Sequence, residues 1–250
     1  MPDEIFADPR LAEIYDDVDP DRRDLDHYVA MATEFGARSV LDVGCGTGTF
    51  ACMLAARGHE VVGVEPAAAS LDVARRKPGA DRVRWLLGDA TTLPALEVDL
   101  ATMTGNVAQV FVDDDGWHHA LMGTRRALRP AGRLAFETRD PAKRGWEEWN
   151  RDDSFERTEI VGVGAVQTWV EVVDVSLPLV SFRSSFHFER DDETVTSTST
   201  LRFRDRDEID ASLRAAGFEV IEIRDAPDRP GREFVVIARA NVAREAGRQG

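Results

Sequence analysis

The chain has 250 residues, with 31 Lys and Arg against 46 Asp and Glu and a formal net charge of -15. This length suits one α/β unit with an insertion around a single core. A surface of this charge repels phosphate backbones and anionic lipid headgroups, so neither nucleic acid nor a membrane is expected as a partner.

The N-terminal part of the chain is predicted to be helical from Asp3 to Gly36, and we assign residues 1–38 to an N-terminal helical cap. Apolar residues group ahead of a charged turn at residues 19–24 and again before Gly36, a common helix stop. The first ten residues contain three acids and no long apolar run. No signal peptide or membrane span is therefore predicted, and the expected location is the cytoplasm.

Short apolar runs then alternate with helical stretches along most of the chain. Such alternation is typical of βαβ units with right-handed crossovers, and the predicted fold class is α/β, a doubly wound, Rossmann-like, seven-stranded sheet. Helices are predicted at residues 50–58, 70–76, 116–128 and 207–216. Strands are predicted at residues 40–43, 61–65, 83–87, 98–103, 133–137, 218–224 and 233–239, and a turn at residues 130–132.

Between Val166 and Phe203 the hydrophobic period changes to two, and no helical segment interrupts it. Asp191 and Asp192 stand where a hairpin turn is expected. This pattern predicts an antiparallel β-sheet inserted before the last helix. The predicted division is a core of residues 39–153 and 205–240, an insertion over the active site at 154–204, and a disordered tail at 241–250.

The stretch VLDVGCGTG, Val40 to Gly48, places glycines at every second position directly after a predicted strand. These glycines allow a sharp turn, a close approach of backbone to a ligand, and a helix start whose N–H groups are free. Nicotinamide and flavin cofactors use similar loops, and a tight turn without any ligand is the plain alternative.

Two acids follow the next strands at the same predicted edge of the sheet. Glu65 ends the second strand, where its carboxylate can accept from both hydroxyls of a ribose. Asp89 follows the third strand and can accept from an adenine amine, with Ala90 supplying a backbone N–H. Each could also be a solvated acid or a helix cap, but α/β sheets bind ligands at this edge, and three such features coincide there.

The stretches VLDVGCGTG, VVGVEP, LLGDA and LRPAGRLAFE, in this order, resemble the class I S-adenosylmethionine (SAM)-dependent methyltransferases. The resemblance covers about residues 39–137, and AGFEVIEI followed by FVVIAR is similar to that family's closing helix and strand pair. It implies SAM as the cofactor and S-adenosylhomocysteine (SAH) as its product. It also implies that Asp42 orients the methionyl ammonium. The expected cofactor contacts are Asp42, Gly44, Cys45, Gly46, Gly48, Glu65, Pro66, Asp89, Ala90, Thr104 and Asn106.

Within this class, the inserted strands and the N-terminal IYD segment resemble small-molecule methyltransferases, including sugar amine N-methyltransferases. The resemblance implies methyl transfer to N or O of a small acceptor. Transfer from a sulfonium depends mainly on proximity and orientation, and a base is needed only if the nucleophile arrives protonated. In that subset a histidine often lies near the position of Gln109, so this chain lacks its assistance or uses another nucleophile.

Side chains on segments expected near the methyl group are candidates for catalysis and acceptor binding. The catalytic candidates are Tyr15, Gln109 and His187. The substrate-binding candidates are Tyr28, Arg139, Trp146, Trp149 and Arg183. Their plain alternatives are packing and loop hydrogen bonds. Arg183 and His187 share one strand face, so both meet the acceptor only if that face looks into the site.

The sequence weighs against metal chemistry, because the five histidines form no HxxxH or HExxH spacing and the two cysteines no CxxC pair. A nicotinamide-dependent oxidoreductase is the main rival, but both tyrosines precede the glycine loop, so the Tyr-x-x-x-Lys pair of short-chain dehydrogenases is absent. A catalytically silent SAM-fold binding protein is the second rival. We expect a monomer or homodimer acting on a small molecule.

Overall fold

The structure, a computed structural model, describes residues 2–241, and the rest of the predicted tail, residues 242–250, lies outside the described residues. Eight α-helices occur in this range: α1 (Glu4–Ala7), α2 (Pro9–Val18), α3 (Asp26–Glu34), α4 (Thr49–Ala56), α5 (Ala68–Arg76), α6 (Asp114–Ala127), α7 (Arg151–Ser154) and α8 (Arg206–Ala215). Within it the strands are β1 (Ser39–Val43), β2 (Glu60–Glu65), β3 (Val83–Leu87), β4 (Val98–Met103), β5 (Leu128–Arg139), β6 (Glu156–Ile160), β7 (Gly164–Ser176), β8 (Leu179–Phe188), β9 (Glu193–Arg202), β10 (Phe218–Asp225) and β11 (Glu233–Ala240).

Seven strands form the main sheet in the order β10-β11-β5-β4-β1-β2-β3, which confirms the predicted fold class. Strand β1 pairs in parallel with both β2 and β4, and β11 runs antiparallel to β5 and β10. The chain therefore moves outward from β1 in one direction and then returns to its other side at β4. In α/β sheets the crevice at such a reversal, at the carboxyl ends of the strands, is where ligands bind.

Helices cover both faces of the main sheet, and their large apolar side chains fill the space against it. On one face Trp117 of α6 meets Phe136 edge-on at 5.7 Å between ring centroids. On the other face Tyr28 of α3 meets Phe50 of α4 at 6.0 Å. Helix α6 lies so close that a Cβ at Gly123 would stand 1.9 Å from the carbonyl oxygen of Ala90. A glycine is therefore needed where α6 crosses the loop after β3.

The insertion sheet is a second, antiparallel sheet of four strands in the order β6-β7-β8-β9, as the period-two pattern predicts. The side chains of Phe186 and Phe188 lie on its inner face, which we define as the face that packs on Leu11 and Ile14 of α2. At the tip of the β8–β9 hairpin, Asp192 takes a φ of 53°, which fits the predicted turn. The insertion sheet and the N-terminal cap therefore share one apolar core.

Two predicted elements differ from the observed ones. The N-terminal helical region is divided, because Asp8 caps a new helix by accepting from the backbone N–H groups of Arg10 (2.7 Å) and Leu11 (3.2 Å), with Pro9 as its first residue. The fifth strand begins at Leu128 rather than after the predicted turn. Ala131 takes a φ of 61° within it, and the β4–β5 pairing shifts register nearby.

A helix that crosses a bilayer must be both long and apolar. No helix within residues 2–241 meets both conditions.

Candidate functional site

The loop between β1 and α4 is a turn in which three glycines take backbone conformations that other residues rarely adopt. Gly44, Gly46 and Gly48 have φ values of 70°, 54° and 80°, in the left-handed region that favours glycine. Space adds a second constraint, since a Cβ at Gly48 would stand 2.5 Å from the Trp85 ring. The turn leads into α4 at Thr49, so its exposed backbone can approach a ligand at a helix start. Cys45 is a buried member of this turn.

The Glu65 carboxylate is held against the glycine turn from the end of β2. One oxygen accepts from the backbone N–H of Gly46 and the other from that of Ala67, both at 2.9 Å. Burial raises the pKa of Glu65, and the two N–H donors oppose this shift. Each carboxylate oxygen can accept more than one hydrogen bond, so two hydroxyl donors could still be received. Pro66, which follows, is exposed.

Asp89 follows β3 and is exposed, whereas Ala90 beside it is buried. One carboxylate oxygen of Asp89 accepts from the backbone N–H of Thr91 at 2.8 Å and from its hydroxyl at 2.6 Å. This is the geometry expected if Asp89 caps the backbone that follows it and does not contact a ligand. It occupies one oxygen and leaves Asp89 at the same edge of the main sheet as Glu65.

Asp42 of β1 is a buried acid with an unused hydrogen-bonding atom. Asp42 is only 1% exposed. The Thr102 hydroxyl donates to Oδ1 of Asp42 at 3.3 Å, and Oδ2 has no partner. Burial raises the pKa of Asp42 to about 7, and the positive charge of Arg22 opposes the shift. A buried acceptor without a donor costs free energy, which a cationic ligand would recover. Asp42 therefore fits the methionyl ammonium of SAM.

Beyond β4, Thr104 is half-buried and leads to Asn106, which has a φ of 61°. Asn106 donates from its backbone N–H to Glu137 at 2.9 Å and from its side chain to Glu233 at 3.4 Å. Its own Oδ1 is buried without a partner. The turn that carries Asn106 is thus fixed by two buried carboxylates, and it presents a second free acceptor at the ligand edge.

Sequence reasoning missed Glu137 and Glu233 as parts of the site. Burial raises the pKa of Glu137, with the negative charge of Glu233 adding to the shift. An acid that ends an otherwise apolar strand, as Glu137 does in LAFE, was an available signal. Glu233 begins β11, and no local pattern marked it.

Tyr28 lies in the core, and its hydroxyl donates to Glu137. The substrate contact expected at Tyr28 stays a prediction, and in this placement its hydroxyl is bonded to Glu137. The ring packs against Phe50 because it belongs to the buried face of α3, so Tyr28 supports Glu137 and has no surface to offer an acceptor.

Gln109 is likewise buried, with both ends of its amide in use. Its oxygen accepts from the Arg139 guanidinium at 3.2 Å, and its nitrogen donates to the carbonyl oxygen of Arg202 at 3.3 Å. Gln109 is thus a strut between the main sheet and the insertion sheet, and the catalytic role expected of it stays a prediction. Arg139 is engaged as well, with Glu233 at 3.4 Å and the Trp149 ring at 5.3 Å.

Trp146 and Trp149 pack between the insertion sheet and the core. Trp146 meets Phe203 edge-on at 4.7 Å, and Trp149 meets Phe182 at 4.8 Å. Both tryptophans also line an open cavity of about 510 Å³ beside β7. They remain candidates for acceptor binding, although most of the Trp146 surface is already buried.

His187 and Arg183 lie on the outer face of the insertion sheet, opposite Phe186. His187 contacts Thr194 at 3.1 Å, and Arg183 lies 3.6 Å from Glu171. The apolar residues of β8 take the inner face, and alternation sends their neighbours outward. The roles expected of His187 and Arg183 stay predictions.

A smaller cavity of about 230 Å³ lies between α2 and the inner face of the insertion sheet. Its lining includes Tyr15 and Asp19 from the cap and Thr168, Ser184 and Phe186 from the insertion sheet. Burial raises the pKa of Tyr15, and the positive charge of Arg22 opposes this shift as it does at Asp42. The Arg22 guanidinium donates to Asp24, with two contacts of 3.2 Å. It was not a sequence candidate, since an Arg in a charged turn is usually solvated.

Within residues 2–241, neither the cysteine thiols nor the clusters of acids and histidines form a nucleophilic or metal-binding centre. Cys45 and Cys52 are free, and burial raises the pKa of both. A raised pKa keeps them as thiols, which are poor nucleophiles. Over the same described residues, no three His, Cys, Asp or Glu side chains are arranged to hold a metal ion.

Residues 40–132, which contain the glycine turn, Glu65 and Asp89, match the protein family described as "Methyltransferase domain". We call residues 40–132 the methyltransferase domain because of this similarity. It begins in β1 and ends within β5, so it contains the parallel half of the main sheet but not the insertion sheet. The recognition of a methyltransferase from the four sequence stretches is confirmed.

Curated relatives of the methyltransferase domain include two malonyl-[acyl-carrier protein] O-methyltransferases. The protein from Yersinia pestis is 34% identical over 130 residues, which are 52% of this chain and 47% of the relative. The protein from Serratia marcescens is 28% identical over 218 residues, 83% of this chain and 75% of the relative. The match thus spans about half the length of the first relative and three quarters of the second.

Solved structures resemble nearly the whole chain, not only the methyltransferase domain. The CcbJ methyltransferase from Streptomyces caelestis has a TM-score of 0.77 and 24% identity, with 96% of this chain and all of that chain covered. SAM-bound CalS10, an amino pentose methyltransferase from Micromonospora echinaspora, has a TM-score of 0.66 and 22% identity over 89% of this chain and 93% of that one. The Rossmann-like fold of SAM-dependent methyltransferases is therefore confirmed, and it includes the insertion sheet and the cap.

Proposed function

We propose that this protein is a SAM-dependent methyltransferase that transfers a methyl group to a nitrogen or oxygen of a small molecule. The single observation that carries the proposal is the convergence at one sheet edge of the glycine turn, Glu65 bonded to it, and Asp42 with a buried free oxygen. The family match and the fold likeness support the same conclusion.

Each part of the cofactor has a complementary group in this arrangement. We assign Glu65 to the ribose hydroxyls, Asp42 to the methionyl ammonium and Asp89 to the adenine amine. The fit rests on unsatisfied acceptors and a close backbone turn, features that this chain keeps at a cost in stability.

The proposed acceptor site is the 230 Å³ cavity between α2 and the insertion sheet. Its polar groups, Tyr15, Asp19, Thr168 and Ser184, can orient a small polar molecule, while Phe186 and its neighbours exclude water. In this proposal residues 1–38 and 154–204 enclose the acceptor, and the core of 39–153 and 205–240 holds the cofactor. Both enclosing parts are needed, because neither alone forms the cavity wall.

Bound SAM supplies a methyl group that is already activated by its sulfonium. The chain's own contribution is then to hold the acceptor atom in line with that group, which can supply about 7–11 kcal/mol of the barrier. We assign to the Tyr15 phenol, which is protonated at neutral pH and whose pKa burial raises further, the donation of a hydrogen bond to the acceptor rather than the removal of a proton from it.

The names of the relatives and neighbours include an oxygen acceptor and an amino sugar. Two relatives are named O-methyltransferases, and CalS10 acts on an amino pentose. We therefore test with both chemistries: radiolabelled methyl transfer from SAM to a panel of small primary amines and alcohols, after calorimetry with SAH and NADH. Binding of NADH but not SAH would remove the proposal. Binding of SAH without transfer to any acceptor would favour a silent binding protein.

A further inference from the structure

A polar cluster joins the N-terminal cap to the glycine turn. Asp16 of α2 accepts at one oxygen from the hydroxyls of Thr47 (2.8 Å) and Thr49 (3.0 Å). The Lys77 ammonium donates to the other Asp16 oxygen at 2.5 Å and to Thr49 Oγ1 at 2.5 Å. We call Asp16, Thr47, Thr49 and Lys77 the Asp16 latch. It connects α2, the glycine turn and the end of α5 through hydrogen bonds that share one carboxylate.

The Asp16 latch differs from the other ion pair between the same helices. The side chains of Lys77 and Asp16 are 18% and 32% exposed, whereas those of Arg76 and Glu13 are 59% and 52% exposed. Exposed pairs contribute little to stability, but partly buried, charge-assisted hydrogen bonds contribute more. The Arg76–Glu13 pair also touches no residue of the glycine turn. It therefore provides a natural comparison for the Asp16 latch.

Thr47 is the residue through which the Asp16 latch contacts the middle of the glycine turn. It is buried between Gly46 and Gly48, both in the left-handed region. The Gly46 N–H is held by Glu65 and the Gly48 N–H by the Cys45 carbonyl oxygen, both on the side of the main sheet. Asp16 adds the side-chain contact that ties the turn to the N-terminal cap, which matters because glycine restricts the backbone least.

Helix α2 contacts three different parts of the molecule at this point. Leu11 and Ile14 pack on the insertion sheet, Tyr15 faces the acceptor cavity, and Asp16 reaches the glycine turn. Because a helix is a rigid element over so few residues, moving Asp16 must also move Tyr15. The position of the cavity wall is thus coupled to the conformation of the cofactor turn.

We propose that Asp16 and Lys77 are positioning residues that close the N-terminal cap over the cofactor site and, in the same contacts, hold the glycine turn ready for ligand. This rests on the proposed function for the identity of the ligand. Cofactor exchange then requires the Asp16 latch to break, so the latch sets the rate at which product leaves. Lid opening of this kind limits turnover in many enzymes.

The test compares Asp16→Asn with Glu13→Gln, which removes the exposed pair from the same helix. Hydrogen exchange in the ligand-free protein should be faster in Asp16→Asn both for α2 and for residues 46–52, and in Glu13→Gln for α2 at most. SAH dissociation, followed by stopped flow, should be about tenfold faster in Asp16→Asn and within about twofold of the native rate in Glu13→Gln.

Lys77→Met and the double variant test the coupling. If both residues act through one latch, the double variant should release SAH no faster than the faster single variant. Additive effects, or Asp16→Asn and Glu13→Gln variants that behave alike, would overturn the proposal. Thr49→Val, which removes one hydroxyl at constant shape, replaces Asp16→Asn if that variant fails to fold. A native protein that binds no SAH would refute the proposed function, while the ligand-free exchange comparison would still decide the latch.

Discussion

Replacing Glu65 with Gln tests the assignment on which the cofactor site depends. Both oxygens of the native carboxylate accept backbone N–H groups at 2.9 Å, and the residue is buried. The amide of Glu65→Gln has only one accepting atom, so the N–H of either Gly46 or Ala67 loses its partner and faces another donor. An unpaired buried donor costs about 1–3 kcal/mol.

This loss should appear in two separate measurements. The free energy of unfolding of the ligand-free Glu65→Gln protein should fall by about 1–3 kcal/mol in urea titrations. The affinity for SAH should fall as well, by about 5-fold to 150-fold for the same energy range, because one acceptor for the ribose hydroxyls is also removed.

Glu60→Gln is the matched control, since Glu60 begins the same strand and is exposed. It should leave the unfolding free energy and the SAH affinity unchanged within about 0.5 kcal/mol. Calorimetry on both variants decides the matter. A Glu65→Gln protein that binds SAH as tightly as the native protein would refute the ribose assignment, whatever its stability.

Four further predictions concern three single sites. Since the pKa of Asp42 is raised to about 7 and an ammonium ligand requires its carboxylate, SAH affinity should fall by about tenfold per pH unit below that value, and a flat calorimetric profile from pH 5.5 to 8 would contradict this. Because the pKa of Asp42 is raised above its ordinary value of 3.8, the contribution of Asp42 to the stability of the ligand-free protein is fully present only below pH 3.8 and is lost as the pH rises through 7. Thermal melts of the native protein, compared with those of Asp42→Asn over this pH range, should show the loss. Gln109→Ala should lower the unfolding free energy by about 1–3 kcal/mol, because Arg202 and Arg139 lose buried partners, and unchanged urea denaturation would argue against the strut. His187→Ala should keep kcat/KM within about twofold of the native value, whereas a loss of tenfold or more would return the outer face to the active site.

The main sheet could be predicted because each of its signals is local. An apolar run such as Val40 to Val43 can lie only in a strand that is covered on both faces, and the three left-handed glycines require their turn at that position. The strand order then follows from right-handed crossovers. The insertion sheet was predictable for a similar reason, because alternation places Phe186 and Phe188 on one face without reference to the rest of the chain.

The site was predictable only where a strand end alone determines a position. Glu65 and Asp42 follow from their places in β2 and β1, so their location at the ligand edge needed no further information. Tyr28 and Gln109 show the opposite case. Their residue types suit a substrate pocket, but whether a tyrosine faces a cavity or a buried Glu137 depends on the element that packs against it.

The sequence by itself thus determined the fold class, the glycine turn and the acids beside it, because backbone conformation and hydrophobic period are properties of short segments. Only the tertiary structure decided which face of β8 looks inward, that Gln109 joins two sheets, and that Asp16 reaches Thr47 from 31 residues away. Contacts between distant segments depend on how whole elements pack, and a single sequence carries no local record of that packing.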